Sequence, residues 1–62
     1  LRFLQKAITD RNYISFSYEN KNYKKLKALN LVEEKEKYSL ITQNQTFEFD
    51  KIKKIQILKE KY

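Results

Sequence analysis

The sequence predicts a mainly β domain, five short strands forming a small barrel, with one short helix at its N-terminus. Three observations carry this reading. Apolar and polar residues alternate with period two over residues 13–19, 37–43 and 46–50. Short runs of Asn, Gln and charged residues separate the alternating segments, at the spacings of small all-β folds. Only the first ten residues repeat with helical period.

The helix is predicted over residues 1–10. Leu1, Leu4, Ala7 and Ile8 form one stripe, with Arg2, Gln5 and Lys6 facing out, and Asp10-Arg11-Asn12 end it. A helix this short does not persist alone in water, so its stripe must lie on the sheet. The barrel is predicted over residues 13–58. In the first strand Ile14, Phe16 and Tyr18 face one side, while Tyr13, Ser15, Ser17 and Glu19 face the other. Asn20-Lys21-Asn22 is the expected turn.

The second strand runs from about Tyr23 to Val32, and its parity changes midway. Leu26 and Ala28 share a side, then Leu29 and Leu31 take the opposite one. A bulge or bend near Ala28 explains this, because one inserted residue flips every later side chain. Residues 33–37 read as a charged, solvated loop. Tyr38, Leu40 and Thr42 then face the core from a third strand. Gln43-Asn44-Gln45 closes a hairpin to a fourth strand bearing Phe47 and Phe49. Asp50-Lys51-Ile52-Lys53-Lys54 is a tight charged corner, with Asp50 expected to cap it by accepting a backbone N–H. Ile55 and Ile57 are expected to enter the core from the last strand, and residues 58–62 are expected to fray. The whole is an SH3-like or Sm-like barrel in outline.

Composition narrows the function classes. The 62 residues make one domain, of a size that buries only about 60% of its unfolded surface. There is no Cys, hence no disulfide or thiolate metal site, and no His, the commonest general base near neutral pH. The Ser and Thr hydroxyls therefore have no histidine to activate them, and the chain is expected to be neither an enzyme nor dependent on a cofactor or metal. Gly and Pro are absent too, so Asn12, Asn20, Asn22, Asn30 and Asn44 are the expected occupants of left-handed turn positions. The net charge of +6 attracts phosphate backbones, acidic proteins or anionic surfaces. No run approaches the roughly 18 apolar residues of a membrane span. Missing Cys and missing targeting signals fit a cytoplasmic protein. The start at Leu1 reads as a fragment of a longer chain.

Four blocks in order resemble the WYL domain of bacterial transcription regulators. Ala7-Ile8 precedes an alternating strand that ends Ile14-x-Phe16-x-Tyr18. A basic strand, Lys25-Leu26-Lys27, leads into Ala28-Leu29-Asn30-Leu31, where the family has Pro-Leu-x-Leu. Ten residues after Ala28 stands Tyr38-Ser39-Leu40, at the offset of the family's Trp-Tyr-Leu. Gln45-Thr46-Phe47-Glu48-Phe49-Asp50-Lys51-Ile52 matches its Arg-x-Phe-x-Leu-Asp-Arg-Ile block. The resemblance spans nearly the whole chain. It implies a short helix with a five-stranded Sm-like barrel, usually behind an upstream helix-turn-helix domain. It also implies a groove for single-stranded nucleic acid or a nucleotide-like anion. The departures fall on signature positions: Gln45 lacks the charge of the family's Arg, and Lys51 keeps charge without the planar fork.

Candidate binding residues follow. Lys25 and Lys27 share one side of the second strand, and Lys51, Lys53 and Lys54 crowd the corner after the fourth. Tyr13, Tyr23 and Tyr38 offer stacking faces, and Ser39 and Gln45 offer hydrogen bonds. The expected site is therefore Lys25, Lys27, Tyr38, Ser39, Gln45, Lys51 and Lys53. The competing expectation is a protein-interaction or oligomerisation module, possibly a homodimer, built on exposed strand edges.

Overall fold

A computed structural model describes all 62 residues. Helix α1 spans Arg2–Asp10 and buries Leu4 and Ala7, with Ile8 half-buried. Leu1 lies before the helix and stays 39% exposed, so the apolar stripe is shorter than its spacing predicts. The chain leaves α1 at Arg11, which takes the left-handed region (φ 61°) and donates its N–H to the last helical carbonyls. Five strands follow: β1 (Asn12–Tyr18), β2 (Lys21–Glu34), β3 (Lys37–Thr42), β4 (Thr46–Glu48) and β5 (Ile52–Lys61). A single 3-10 turn, Phe49–Lys51, joins the last two. All pairings are antiparallel, and the order is β4-β3-β2-β1-β5 in one open sheet. No backbone pairing joins the two edge strands β4 and β5, so the expected barrel is present as a five-stranded sheet with a helix, without closure.

Eight side chains form the core: Leu4, Ala7, Ile14, Phe16, Leu26, Ala28, Leu40 and Phe47. Phe47 is its hub, with the rings of Phe16, Tyr18 and Tyr23 each standing edge-on to it at 4.9 Å. Aromatic pairs of this geometry add about 0.5–1.5 kcal/mol each beyond burial. Thr42 is the one buried polar residue. Its hydroxyl donates to the Gln45 carbonyl (2.8 Å) and accepts from the Asn44 and Gln45 N–H groups, which fixes the β3–β4 connection.

The parity change in β2 has the expected cause. Ala28 pairs with Thr42 and Asn30 with Ile41, so Leu29 is the inserted residue. Leu29 is exposed in consequence, and only Leu31 of the pair packs on the core.

Several expectations are corrected. The first turn is Glu19-Asn20, and β2 begins at Lys21. The charged segment after β2 is no loop: Glu33 and Glu34 pair with Tyr38 and Lys37, leaving the two-residue turn Lys35-Glu36. Of the five Asn expected at positive φ, only Asn20 is there. Arg11, Glu19, Lys25, Lys35, Glu36 and Lys54 occupy the rest, because strand register and not local preference decides which residue meets the bend. Asp50 is exposed and caps nothing. Phe49 lies in the 3-10 turn, half-buried against the core. Ile57 is 39% exposed, because bulges in β5 turn Ile52 and Ile55 onto the core instead.

The C-terminal segment does not fray. β5 runs to Lys61, and Tyr62 donates its N–H to the Arg11 carbonyl (2.9 Å) and its hydroxyl to the Ala28 carbonyl (3.1 Å). Asn12 Nδ2 donates to the Leu58 carbonyl at 3.0 Å.

Candidate functional site

Tyr62 brings one group of the expected residues together. Its ring meets that of Tyr13 at 5.5 Å. Arg11 lies 5.1 Å and Lys27 5.4 Å from the Tyr62 ring centroid, and Lys25 lies 5.2 Å from that of Tyr13. The local backbone explains this convergence. Tyr13 and Lys27 are cross-strand partners in β1 and β2, Arg11 is turned out by its left-handed conformation, and Lys25 is re-aimed by a bulge at φ 58°. None of the three cations has a carboxylate partner. The result is a surface of two half-buried phenol rings and three unneutralised positive charges. Cations over exposed rings gain about 0.5–1 kcal/mol each, so these side chains are positioned without being neutralised.

Tyr38 and Ser39 lie elsewhere. They line a cavity of about 290 Å³ with Glu34, Lys35, Lys37, Glu48 and Asp50. Three carboxylates face two ammonium groups there, so the local balance is acidic. Lys51 sits between carboxylates, its Nζ 3.0 Å from Glu48 and 3.8 Å from Glu19. Its hydrogen bond and charge attraction to Glu48 raise its pKa, and the same contacts hold Glu48 below the usual glutamate value. Lys51 is therefore already matched by negative charge. Gln45 turns to Tyr23, its Nε2 donating to the phenol oxygen at 3.2 Å. Lys53 is exposed on β5 opposite Ser17, with no ion pair.

The expected site thus falls into separate environments: Lys25 and Lys27 beside paired tyrosines, Tyr38 and Ser39 in a mixed-charge cavity, and Lys51 in an ion pair. Sequence reasoning missed Arg11 and Tyr62. The available signal was an aromatic residue just after a strand with a cation at the helix end, but their meeting depends on the full length of β5.

Comparison of the chain with protein-family models, curated proteins and solved structures finds no match. The resemblance to the WYL domain therefore rests on the four sequence blocks alone.

Proposed function

We propose that this chain is a ligand-sensing regulatory domain of the WYL type, with the Sm-like small-barrel plan of that family, and that it binds rather than catalyses. Its ligand is a single-stranded nucleic acid or a nucleotide-like anion. The observation that carries this reading is the surface of Arg11, Tyr13, Lys25, Lys27 and Tyr62, which joins aromatic faces to cations that no carboxylate neutralises. Small β domains hold single strands with this combination, and stacking contributes about 1–3 kcal/mol per base. The groove implied by the resemblance, around Tyr38, Ser39 and Lys51, is the less suitable place for an anion because Glu34, Glu48 and Asp50 surround it. In a regulator of this type, occupancy would reach an upstream DNA-reading domain only if the ligand binds two states of the protein unequally.

The test is fluorescence anisotropy with a short labelled single strand at several salt concentrations. If three phosphates are neutralised, log affinity falls against log salt with a slope near ~−2. Arg11→Gln with Lys27→Gln is expected to weaken binding and flatten the slope, whereas Lys35→Ala leaves both unchanged. Salt-independent binding, or equal losses from both variants, would overturn the reading. The unpaired outer edges of β4 and β5 favour a second reading, a protein-interaction module. Its sign is concentration-dependent assembly in ultracentrifugation without nucleic acid.

A further inference from the structure

The outer face of β1 carries a second feature that no sequence motif announces. In the β1–β2 ladder Ile14 pairs with Leu26 and Phe16 with Tyr23, so Lys24 and Lys25 both stand against Ser15. In the β1–β5 ladder Ser15 pairs with Gln56 and Ser17 with Lys53, so Lys54 and Ile55 both stand against Phe16. Strand β1 is thus flanked on both sides by a bulge, one against Ser15 and the other against the adjacent Phe16. Each bulge holds a lysine in the left-handed region, Lys25 at φ 58° and Lys54 at φ 56°. Bulges re-aim side chains, and non-glycine residues in this region carry a strain of order 1 kcal/mol or more.

Between the bulges lies a shallow groove of about 180 Å³, lined by Ser15, Ser17, Asn22, Lys24, Lys54 and Gln56 over Phe16 and Tyr23. The six polar liners offer two hydroxyls, two carboxamides and two ammonium groups. No carboxylate lines the groove, and none of these six side chains is hydrogen-bonded or ion-paired within the protein. We infer that this groove is a binding site for a phosphate-class oxyanion, held by the Lys24 and Lys54 ammonium groups and the Ser15 and Ser17 hydroxyls. Its volume is below the roughly 300–1,000 Å³ of pockets that enclose whole drug-sized ligands, so it accepts a charged group and leaves the remainder of the ligand outside. Charge-assisted bonds from ammonium to phosphate oxygen suit such a group, and a phosphate presents acceptors to several donors at once.

The site shares no residue with the Tyr13–Tyr62 surface, so it stands or falls separately. Tyr13 and Ser15 do share one face of β1, about 6.6–6.8 Å apart along an antiparallel strand. The phosphate can therefore come from a strand that continues past the tyrosines or from a small phosphorylated ligand.

The experiment is an amide NMR titration of the 62-residue chain with sodium pyrophosphate, against sodium chloride at matched ionic strength. Saturable shifts centred on Ser15, Ser17, Asn22, Lys54 and Gln56 are expected. Lys24→Gln with Lys54→Gln is expected to weaken binding about tenfold, and the charge-neutral pair Ser15→Ala with Ser17→Ala about fivefold. Lys59→Gln with Lys61→Gln removes the same charge from β5 and is expected to have little effect. Dispersed spectra verify that each variant is folded. Equal losses from both lysine pairs, or shifts scattered over all lysines, would overturn the proposal. A short oligothymidylate that displaces pyrophosphate identifies a strand backbone as the source, and failure to displace it identifies a small ligand; the site stands in both cases. Tyr13→Ala separates the two readings, because it should weaken the oligonucleotide and leave pyrophosphate binding intact.

Discussion

Replacing Tyr62 tests whether the C-terminal residue holds the sheet together. Tyr62→Phe deletes one bond, the 3.1 Å hydroxyl contact to the Ala28 carbonyl. A net hydrogen bond is worth about 1 kcal/mol, and in a domain of this size that lowers the melting temperature by about 4–8 °C. Tyr62→Ala also deletes the ring. It loses the 5.5 Å pair with Tyr13, worth about 0.5–1.5 kcal/mol, and two exposed cation contacts of about 0.5–1 kcal/mol each. The sum is about 3 kcal/mol, against the 3–5 kcal/mol that a core of this size rarely exceeds. Tyr62→Ala is thus expected to be largely unfolded at 37 °C, with Tyr62→Phe intermediate. Thermal melts followed by far-ultraviolet circular dichroism measure both, and amide exchange measures protection of the Tyr62 N–H that bonds the Arg11 carbonyl. A Tyr62→Ala melting point within about 2 °C of the parent would refute the reasoning, since one lost bond alone should exceed that. It would mean that the tail is free in solution, as its charged sequence alone leads one to expect.

Two further outcomes follow from the backbone and from the exposed ion pair. Lys35-Glu36 forms a two-residue turn with both φ positive (51° and 67°), so Lys35→Asn with Glu36→Gly should raise stability by about 1 kcal/mol in urea titrations; an unchanged or lower midpoint contradicts the assigned strain. The Glu48–Lys51 pair sets the pH dependence at both extremes. Glu48 is depressed below its ordinary 4.5, so its contribution is present above that value and is lost as pH falls through the lower folded value. Lys51 is raised above 10.5, so its contribution is present below that value and is lost as pH rises through the higher folded value. Both groups are exposed, so the amplitude is small. Glu48→Gln should flatten the acid limb, and a Glu48 carboxyl that titrates at 4.5 by NMR would contradict the pair.

The strands that kept period two were legible from residues alone. Ile14, Phe16 and Tyr18 face the core as the alternation requires, and so do Leu40 and Thr42, while Tyr38 of the same strand lines the mixed-charge cavity. The parity break after Ala28 even located a bulge. β5 was not legible, because its bulges replace alternation with partial burial at every third residue, Ile52, Ile55 and Leu58. Read with period two, that strand puts Ile57 inside and ends too soon. The error propagated to the candidate site: with β5 cut short, Tyr62 became a loose end and Arg11 only a helix terminus. Lys25 and Lys27 meet the tyrosine pair through the bulge that re-aims Lys25 and the pairing of Lys27 with Tyr13, not through the unbroken alternation that their two-residue spacing suggests. The pairing of Lys51 with Glu48 was less visible, because three-residue spacing brings side chains together on a helical turn and this turn lies where a strand was expected.

The positive-φ residues fall into two classes with different causes. Glu19-Asn20 and Lys35-Glu36 are hairpin loops, where two residues must reverse the chain whatever they are. Lys25 and Lys54 are not loop residues. Each lies inside a strand that could pair regularly with β1 without it, so its strain is not imposed by the connectivity. What the two bulges accomplish together is curvature about Phe16, which meets Phe47 from one side of β1. The same distortion carries Lys24 and Lys54 to the other side, beside the free hydroxyls of Ser15 and Ser17. Core curvature alone would be served as well by glycine at both positions, at lower strain. Of the two strained lysines Lys54 lines the groove without carboxylates, while Lys25 stands over the Tyr13 ring and leaves its bulge neighbour Lys24 as the second ammonium group of the anion site.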